Sequence, residues 1–170
     1  MIQYVPDRIQ EEFQRNLKDW AVGGPKEGGW TRAGEPCPIP EMTLTGYRIN
    51  HISIEDALSK NPVETAKWHI PFLEWVIRSY GRLSEWKETT YYEEYLKPRY
   101  DETEAHKRAF SFIELFNDIR RNGVKQKVWI AHLNMPACDY FRFNGCHRVC
   151  AAKVLGAKTV AAYIFSTSID

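Results

Sequence analysis

The chain of 170 residues has almost no excess charge, because 23 basic side chains stand against 22 acidic ones. Composition therefore gives no sign of the strongly basic surface that non-specific nucleic-acid binding usually requires, although a local basic patch remains open. The sequence also has no apolar run near the ~20 residues of a membrane-spanning helix. Its opening residues MIQYVPDRIQ lack the pattern of a signal peptide. These absences predict a cytoplasmic protein.

Cysteine is scarce, and none of the four cysteines forms a Cys-x-x-Cys pair with another. Cys138, Cys146 and Cys150 cluster around His147, but this spacing is not that of a usual zinc finger. Together with Cys37, they are most simply interpreted as free thiols. The sequence also lacks a Gly-x-x-x-x-Gly-Lys-Ser/Thr loop and a Gly-x-Gly-x-x-Gly fingerprint, which argues against a P-loop NTPase and a Rossmann dehydrogenase.

The residues that are present suit one soluble globular domain over 1–170. Hydrophobic residues make up 44% of the chain and charged residues 26%, and aromatic side chains are plentiful, with six Trp and nine Tyr. Such aromatic content fits a thick core or an interaction surface. In the acidic segment around Trp86 and Tyr91 the core is the favoured interpretation.

The first part of the chain reads as an extension in front of the main domain. Apolar residues at helical spacing predict a helix over 7–20, and a Gly/Pro-rich loop completes an N-terminal extension over 1–42. The main domain then covers 43–170. It begins with a strand over 43–49 and includes a helical insertion over about 63–100.

Two capping signatures mark further helix starts. Ser53 precedes Asp56 by three residues, and Asp101 precedes Glu104 by the same spacing. The second of these helices ends at Gly123.

The last fifty residues alternate between strands and a helix. Short apolar strands are predicted over 128–130, 140–143 and 160–165, with a loop over 134–138. A helix is predicted to begin near Cys146 and to end at Gly156. This order predicts an α/β (α+β) fold with a small mixed sheet.

The turn from the second of these strands into the helix is the best candidate for chemistry. The first turn of a helix has unpaired N–H groups and the positive end of the helix dipole, and Gly145 lets a ligand approach the backbone. His147 and Arg148 add donors beside it, so the turn predicts a phosphate site. Cys146 lies in the same field, which favours its thiolate, although a small residue in a tight turn is the plainer interpretation.

Residues 140–165 read YFRFNGCHRVCAAKVLGAKTVAAYIF and follow FIELFNDIRRNGVKQKVWI, which begins at Phe112. This stretch resembles the shared core of the ParB/sulfiredoxin superfamily: a helix ending in Gly, a strand, and a Gly-x-His-Arg turn opening an Ala-rich helix. The turn Phe-Asn-Gly-Cys-His-Arg is most similar to the sulfiredoxin turn, Phe-Gly-Gly-Cys-His-Arg. The likeness covers about a third of the chain, and ISIEDALSKNP from Ile52 is a weaker candidate for the first strand and helix of that fold.

The resemblance implies a nucleotide-binding fold. It places the phosphates of ATP or another nucleotide, with Mg²⁺, at Asn144, Gly145, His147 and Arg148, and it matches Cys146 to the sulfiredoxin cysteine that attacks a phosphorylated sulfinic acid. Relatives of this fold include CTP-binding ParB proteins, a free-serine kinase and ParB-like nucleases. The fold alone therefore leaves the activity open.

The helix before the strands departs from sulfiredoxin, because it offers Ser111, Glu114 and Asp118 where that family has Lys and Ser or Thr. Carboxylates next to a triphosphate suit Mg²⁺ ligands or a general base. Glu114 and Asp118 are thus candidate metal ligands and catalytic residues, together with Cys146 and His147. The alternative is that these two carboxylates form a solvated helix face.

Three functions remain open from the sequence. The first is a nucleotide-binding enzyme that performs Mg²⁺-dependent phosphoryl transfer or hydrolysis on an unidentified small molecule or protein, as a kinase or hydrolase does. The second is a sulfinic acid reductase that uses Cys146. The third is a non-catalytic or DNA-associated ParB-like module.

Overall fold

The structure is a computed structural model that describes residues 4–22, 31–32, 35–36, 41–58, 66–135 and 138–169. Its elements are, in chain order, α1 (Asp7–Val22), β1 (Thr31–Arg32), β2 (Glu35–Pro36), β3 (Met42–Ser53), α2 (Ile54–Leu58), α3 (Ala66–Arg78), a 3₁₀ helix (Leu83–Glu88), a π-helix (Tyr91–Leu96), α4 (Glu102–Asn122), β4 (Val128–Met135), β5 (Cys138–Asn144), α5 (Cys146–Val154) and β6 (Thr159–Ile169). This mixture of helices and strands confirms the α/β (α+β) class.

The main sheet has four strands in the order β3-β6-β4-β5. β6 is antiparallel to β3 and parallel to β4, while β4 and β5 are antiparallel. β1 and β2 form a separate two-stranded pair. Because β4 and β6 are parallel, the chain must cross over between them, and α5 is the helix of that crossover.

The two faces of the main sheet carry different apolar clusters, as alternating side chains on a strand require. On one face, Phe13 and Leu17 of α1 pack with Phe141, Phe143 and other side chains of the sheet. The helix predicted over 7–20 is thus confirmed, with its apolar face against the sheet. The opposite face is covered by α2 and α5.

Helix α5 lies between the sheet and a layer of helices. Its Val149 and Ala152 belong to the cluster on the sheet, whereas Cys150 and Ala151 belong to the cluster of α3, α4 and the aromatic segment. All four are buried. Small side chains let a helix approach neighbours on both sides, so α5 is closely packed along these two faces.

The aromatic segment is core, as the sequence favoured. Trp86, Tyr91 and Tyr92 are buried and pack with Phe72 of α3 and Phe112 of α4. The rings of Phe72 and Tyr91 stack with their centroids 4.3 Å apart. This segment therefore contributes to the helical layer.

Both capping signatures are confirmed. The Asp56 backbone N–H donates to Ser53 Oγ over 3.0 Å, and the Glu104 backbone N–H donates to Asp101 Oδ1 over 2.8 Å. The end of α4 also agrees with the sequence, because Gly123 follows it with a φ of 73°.

The strands are longer than predicted. β3 continues past the strand predicted over 43–49 because the residues from Asn50 to Ser53 still pair with β6 through their backbones. The loop predicted over 134–138 is shorter, since β4 extends to Met135 and β5 begins at Cys138. The pattern of hydrophobic residues does not reveal polar residues that continue the backbone pairing between two strands.

Several sequence predictions lie outside the described residues. They concern Cys37, most of the Gly/Pro-rich loop, and the break at Asn61 and Pro62. Within the described residues, no helix is both long enough and apolar enough to cross a membrane.

We expect Gly145→Ala to destabilise the fold more than Gly156→Ala. Both glycines have a positive φ, 99° and 81°, but only a Cβ on Gly145 would lie 2.6 Å from Val128 Cγ1, whereas that on Gly156 would meet nothing within 4 Å. Backbone strain costs about 1 kcal/mol or more in each variant, and overpacking adds about 1–3 kcal/mol at Gly145. Urea unfolding of the two variants measures the difference, and equal losses would show that contact with Val128 does not matter.

Candidate functional site

A cavity of about 440 Å³ opens between the π-helix, α4 and the first turn of α5. Its apolar lining, called the apolar wall below, consists of Tyr91, Tyr95, Leu96, Phe112 and Leu115. Its polar lining, called the polar wall, consists of Glu104, Lys107, Arg108, Ser111 and His147, and both sets include residues of α4. Its volume falls within the range of about 300–1,000 Å³ that small-molecule sites usually have.

The polar wall owes its charge to one face of α4. Residues three and four apart on a helix share a face, so Lys107, Arg108 and Ser111 reach the cavity from adjacent turns. Arg108 Nε lies 2.8 Å from Glu104 Oε1, and its guanidinium covers the ring of Tyr100. These two contacts restrain the guanidinium, which also lines the cavity.

The first turn of α5 provides the positive end of a helix. Gly145 is the N-cap residue, with φ 99° and ψ 21°, and no side chain caps the helix. Unpaired N–H groups in such a turn attract anions. The turn selected from the sequence therefore does border a cavity, through His147.

The imidazole of His147 packs against two other rings, those of Phe112 and His69, which also contact each other. Its centroid is 4.4 Å from that of Phe112 and 4.6 Å from that of His69. Its Nε2 atom lies 2.8 Å from Nε2 of His69, a buried residue of α3. Two histidines separated by 78 residues in the chain thus form a hydrogen-bonded pair at the cavity.

The surroundings of His147 lower the pKa of its imidazole to about 4. His147 is exposed by surface area, but the protein groups packed around its ring displace part of its water, and this desolvation is the largest cause of the lowered pKa. The positive charges of Arg108, Arg142 and Arg148 act in the same direction. His147 is therefore a neutral hydrogen-bonding group at pH 7, in a positive electrostatic field.

Asn144 and Arg148 bind neighbouring parts of the protein. Arg148 Nη1 donates to the carbonyl oxygens of Gln126 and Lys127 over 3.1 and 2.8 Å, and Nη2 donates to Asn144 Oδ1. Asn144 Nδ2 in turn donates to Glu12 Oε1 of α1 over 2.7 Å. These bonds anchor the turn, and they engage three of the five guanidinium N–H groups.

Cys146 lies at the start of α5, and its Sγ is 4.0 Å from Sγ of Cys150 one helical turn later. This separation is a hydrogen-bonding contact, because a disulfide needs about 2.05 Å. The contact with Cys146 and burial raise the pKa of the Cys150 thiol. Cys150 is therefore a buried thiol, as its apolar neighbours in the sequence suggested.

The carboxylates predicted to hold a metal lie elsewhere on α4. Glu114 is exposed, while Asp118 accepts a hydrogen bond from Asn122 and lies 3.9 Å from Lys125. Neither carboxylate lines the cavity. Ser111, which the sequence grouped with them, does line it.

Sequence reasoning missed His69, Lys107 and Arg108. The spacing of Lys107, Arg108 and Ser111 on a helix could have indicated one polar face. Nothing in the sequence links His69 to His147, because their contact depends on how α3 packs against α5.

Comparison of this chain with protein-family models, with curated proteins and with solved structures finds no match.

We expect His147 to make the folded protein less stable in mild acid. Its pKa is about 4 in the folded state and about 6.5 when unfolded. Between these values the unfolded chain binds a proton that the folded protein does not, so stability falls as pH decreases from 6.5 towards 4. Urea unfolding midpoints at pH 7.5 and pH 5 should therefore differ less in His147→Gln than in the wild type. The same difference in both proteins would contradict a lowered pKa.

Proposed function

We propose that this protein binds a phosphorylated small molecule, with ATP or a related nucleotide as the best fit, in the cavity between α4 and α5. The observation that supports the proposal is that Lys107, Arg108 and His147 line the same cavity, and that the helix start to which His147 belongs has no side-chain cap. Phosphate groups are best held by such charge-assisted donors and by helix N-termini.

The phosphates would lie against His147, Ser111 and the two cations of α4. These side chains offer hydrogen bonds from a hydroxyl, an imidazole, an ammonium and a guanidinium. The pKa of His147 is lowered first by burial and then by the positive charges of Arg108, Arg142 and Arg148, so the ring lies in a positive field. A bound anion would reduce that field.

The organic part of the ligand would lie against the apolar wall. Tyr95 and Leu115 are half-buried and border the same opening as the cations. Burial raises the pKa of the Tyr95 hydroxyl, so this group stays protonated and can donate a hydrogen bond. A site with one apolar and one cationic wall suits a nucleotide better than free phosphate.

The carboxylates predicted to hold Mg²⁺, Glu114 and Asp118, do not line the cavity. Mg²⁺ commonly takes one or two carboxylates in addition to phosphate oxygens. Glu104 is the carboxylate of the described lining, and it pairs with Arg108. In the described part of the chain, no group of three or more His, Cys, Asp and Glu side chains could hold a metal. The proposal therefore concerns phosphate recognition, while phosphoryl transfer, nucleotide hydrolysis and the chemistry of Cys146 stay predictions from the sequence.

We expect Lys107→Ala to weaken binding of ATP and of inorganic pyrophosphate alike. Loss of one charge-assisted hydrogen bond should lower each affinity about tenfold. Lys125→Ala is the matched control, because Lys125 lies beside Asp118 and does not line the cavity. Isothermal titration calorimetry at fixed salt measures both ligands. Absence of ATP and pyrophosphate binding in the wild type, or equal losses in both variants, would overturn the proposal.

We expect Leu115→Ala to weaken the binding of ATP without weakening the binding of pyrophosphate. The substitution removes apolar contact area, so ATP affinity should fall about threefold to tenfold while pyrophosphate affinity stays unchanged. The same titrations give the comparison, and circular dichroism checks that the variant is folded. An equal loss for both ligands would place the organic part of the ligand away from the apolar wall.

A further inference from the structure

The buried imidazole of His69 is the least expected polar group near the cavity. The residue is 1% exposed, and its ring centroid lies 5.0–5.2 Å from those of Tyr91, Tyr95 and Phe112. Burying a polar ring among aromatic side chains is costly unless it is hydrogen-bonded. The bond to His147 gives His69 such a partner at the rim of the cavity.

The contact between the two Nε2 atoms restricts both rings. A hydrogen bond needs one donor and one acceptor, and a neutral imidazole carries a single N–H. When Nε2 of His69 donates, Nε2 of His147 accepts and the proton of His147 must be on Nδ1. The bond also occupies Nε2 of His147, so Nδ1 is the ring nitrogen that remains for a ligand.

We propose that His69 is a positioning residue for this site: its Nε2–H donates to Nε2 of His147 and thereby makes His147 present Nδ1–H to a phosphate oxygen of the ligand. This inference rests on the proposed function, because the contact with a phosphate oxygen exists only if the cavity binds a phosphorylated ligand. Phosphate oxygens accept hydrogen bonds, so they match the arrangement in which His69 is the donor.

The groups around His147 are consistent with a neutral donor. Arg108 of α4, Arg142 of β5 and Arg148 of α5 face the ring with positive charge. Tyr91 and Tyr95 lie beside His69, and burial raises the pKa of both hydroxyls, so neither adds negative charge. Phe112 covers His147 with its centroid 4.4 Å away and helps to fix the ring plane.

The test compares two replacements of His69 in the full chain. His69→Phe keeps an aromatic ring in the aromatic surroundings but removes the hydrogen bond, whereas His69→Gln keeps an N–H donor. His106→Phe is the matched control, because His106 is an exposed imidazole of α4 that stacks on Phe110 outside the cavity lining. The probes are inorganic pyrophosphate and ADP, followed by calorimetry. ¹⁵N NMR of the His147 ring reports which nitrogen carries the proton.

In the wild type we expect His147 to be in the Nδ1–H form. His69→Phe should give a mixture of both forms and weaken pyrophosphate and ADP binding about threefold to tenfold, which is the effect of losing one neutral hydrogen bond. His69→Gln should restore both the Nδ1–H form and most of the affinity, and His106→Phe should change neither.

The proposal would be overturned if the wild-type protein carried the proton of His147 on Nε2 or showed a mixture of both forms. This NMR result does not depend on whether any variant folds. The proposal would also be rejected if His69→Phe lowered the affinity without changing the tautomer of His147, or if His69→Gln failed to restore the affinity. Either result would give His69 a merely structural role. If the wild type binds neither probe, the proposed function fails together with the ligand contact. The NMR comparison without ligand then still decides whether His69 sets the tautomer of His147.

Discussion

The close packing of α5 on both of its sides determines the rest of the architecture. Its small residues contact the sheet through Val149 and Ala152 and the helical layer through Cys150 and Ala151. A larger side chain on either face would separate the two layers, because protein interiors have little free volume. The same helix brings His147 of its first turn to the cavity. The packing that stabilises the domain thus also positions the candidate site.

Local signals in the sequence were sufficient for much of this architecture. The Ser53 and Asp101 caps each depend on residues three positions apart, and the stop at Gly123 depends on one backbone conformation. Such features do not need tertiary context. The turn at Gly145 belongs to the same class, and its glycine has the additional reason that Val128 leaves no room for a Cβ. The strand ends were less predictable, because the polar residues that extend β3 pair through backbone groups.

The cavity was predictable only in part, since contacts between distant segments create it. The sequence identified His147 by the turn around it, but the pairing with His69 depends on how α3 packs against α5. Lys107 and Arg108 look like ordinary surface cations until α4 is placed beside the start of α5. Glu114 and Asp118 share a helix with these cations, yet a helix face is narrow, and the two carboxylates lie outside the cavity lining. A motif therefore located the site, whereas the fold determined its composition.

The bonds of Arg148 have a consequence for how this chain can vary. Its guanidinium spans from α5 to the carbonyl oxygens of Gln126 and Lys127, which immediately precede β4, and it reaches α1 through Asn144 and Glu12. The length of the connection between α4 and β4 is thus limited by the reach of one arginine side chain. Surface connections usually tolerate insertions, but residues added here would move those carbonyl oxygens away from their donor. This connection therefore cannot lengthen without breaking the hydrogen bonds of Arg148 to Gln126 and Lys127.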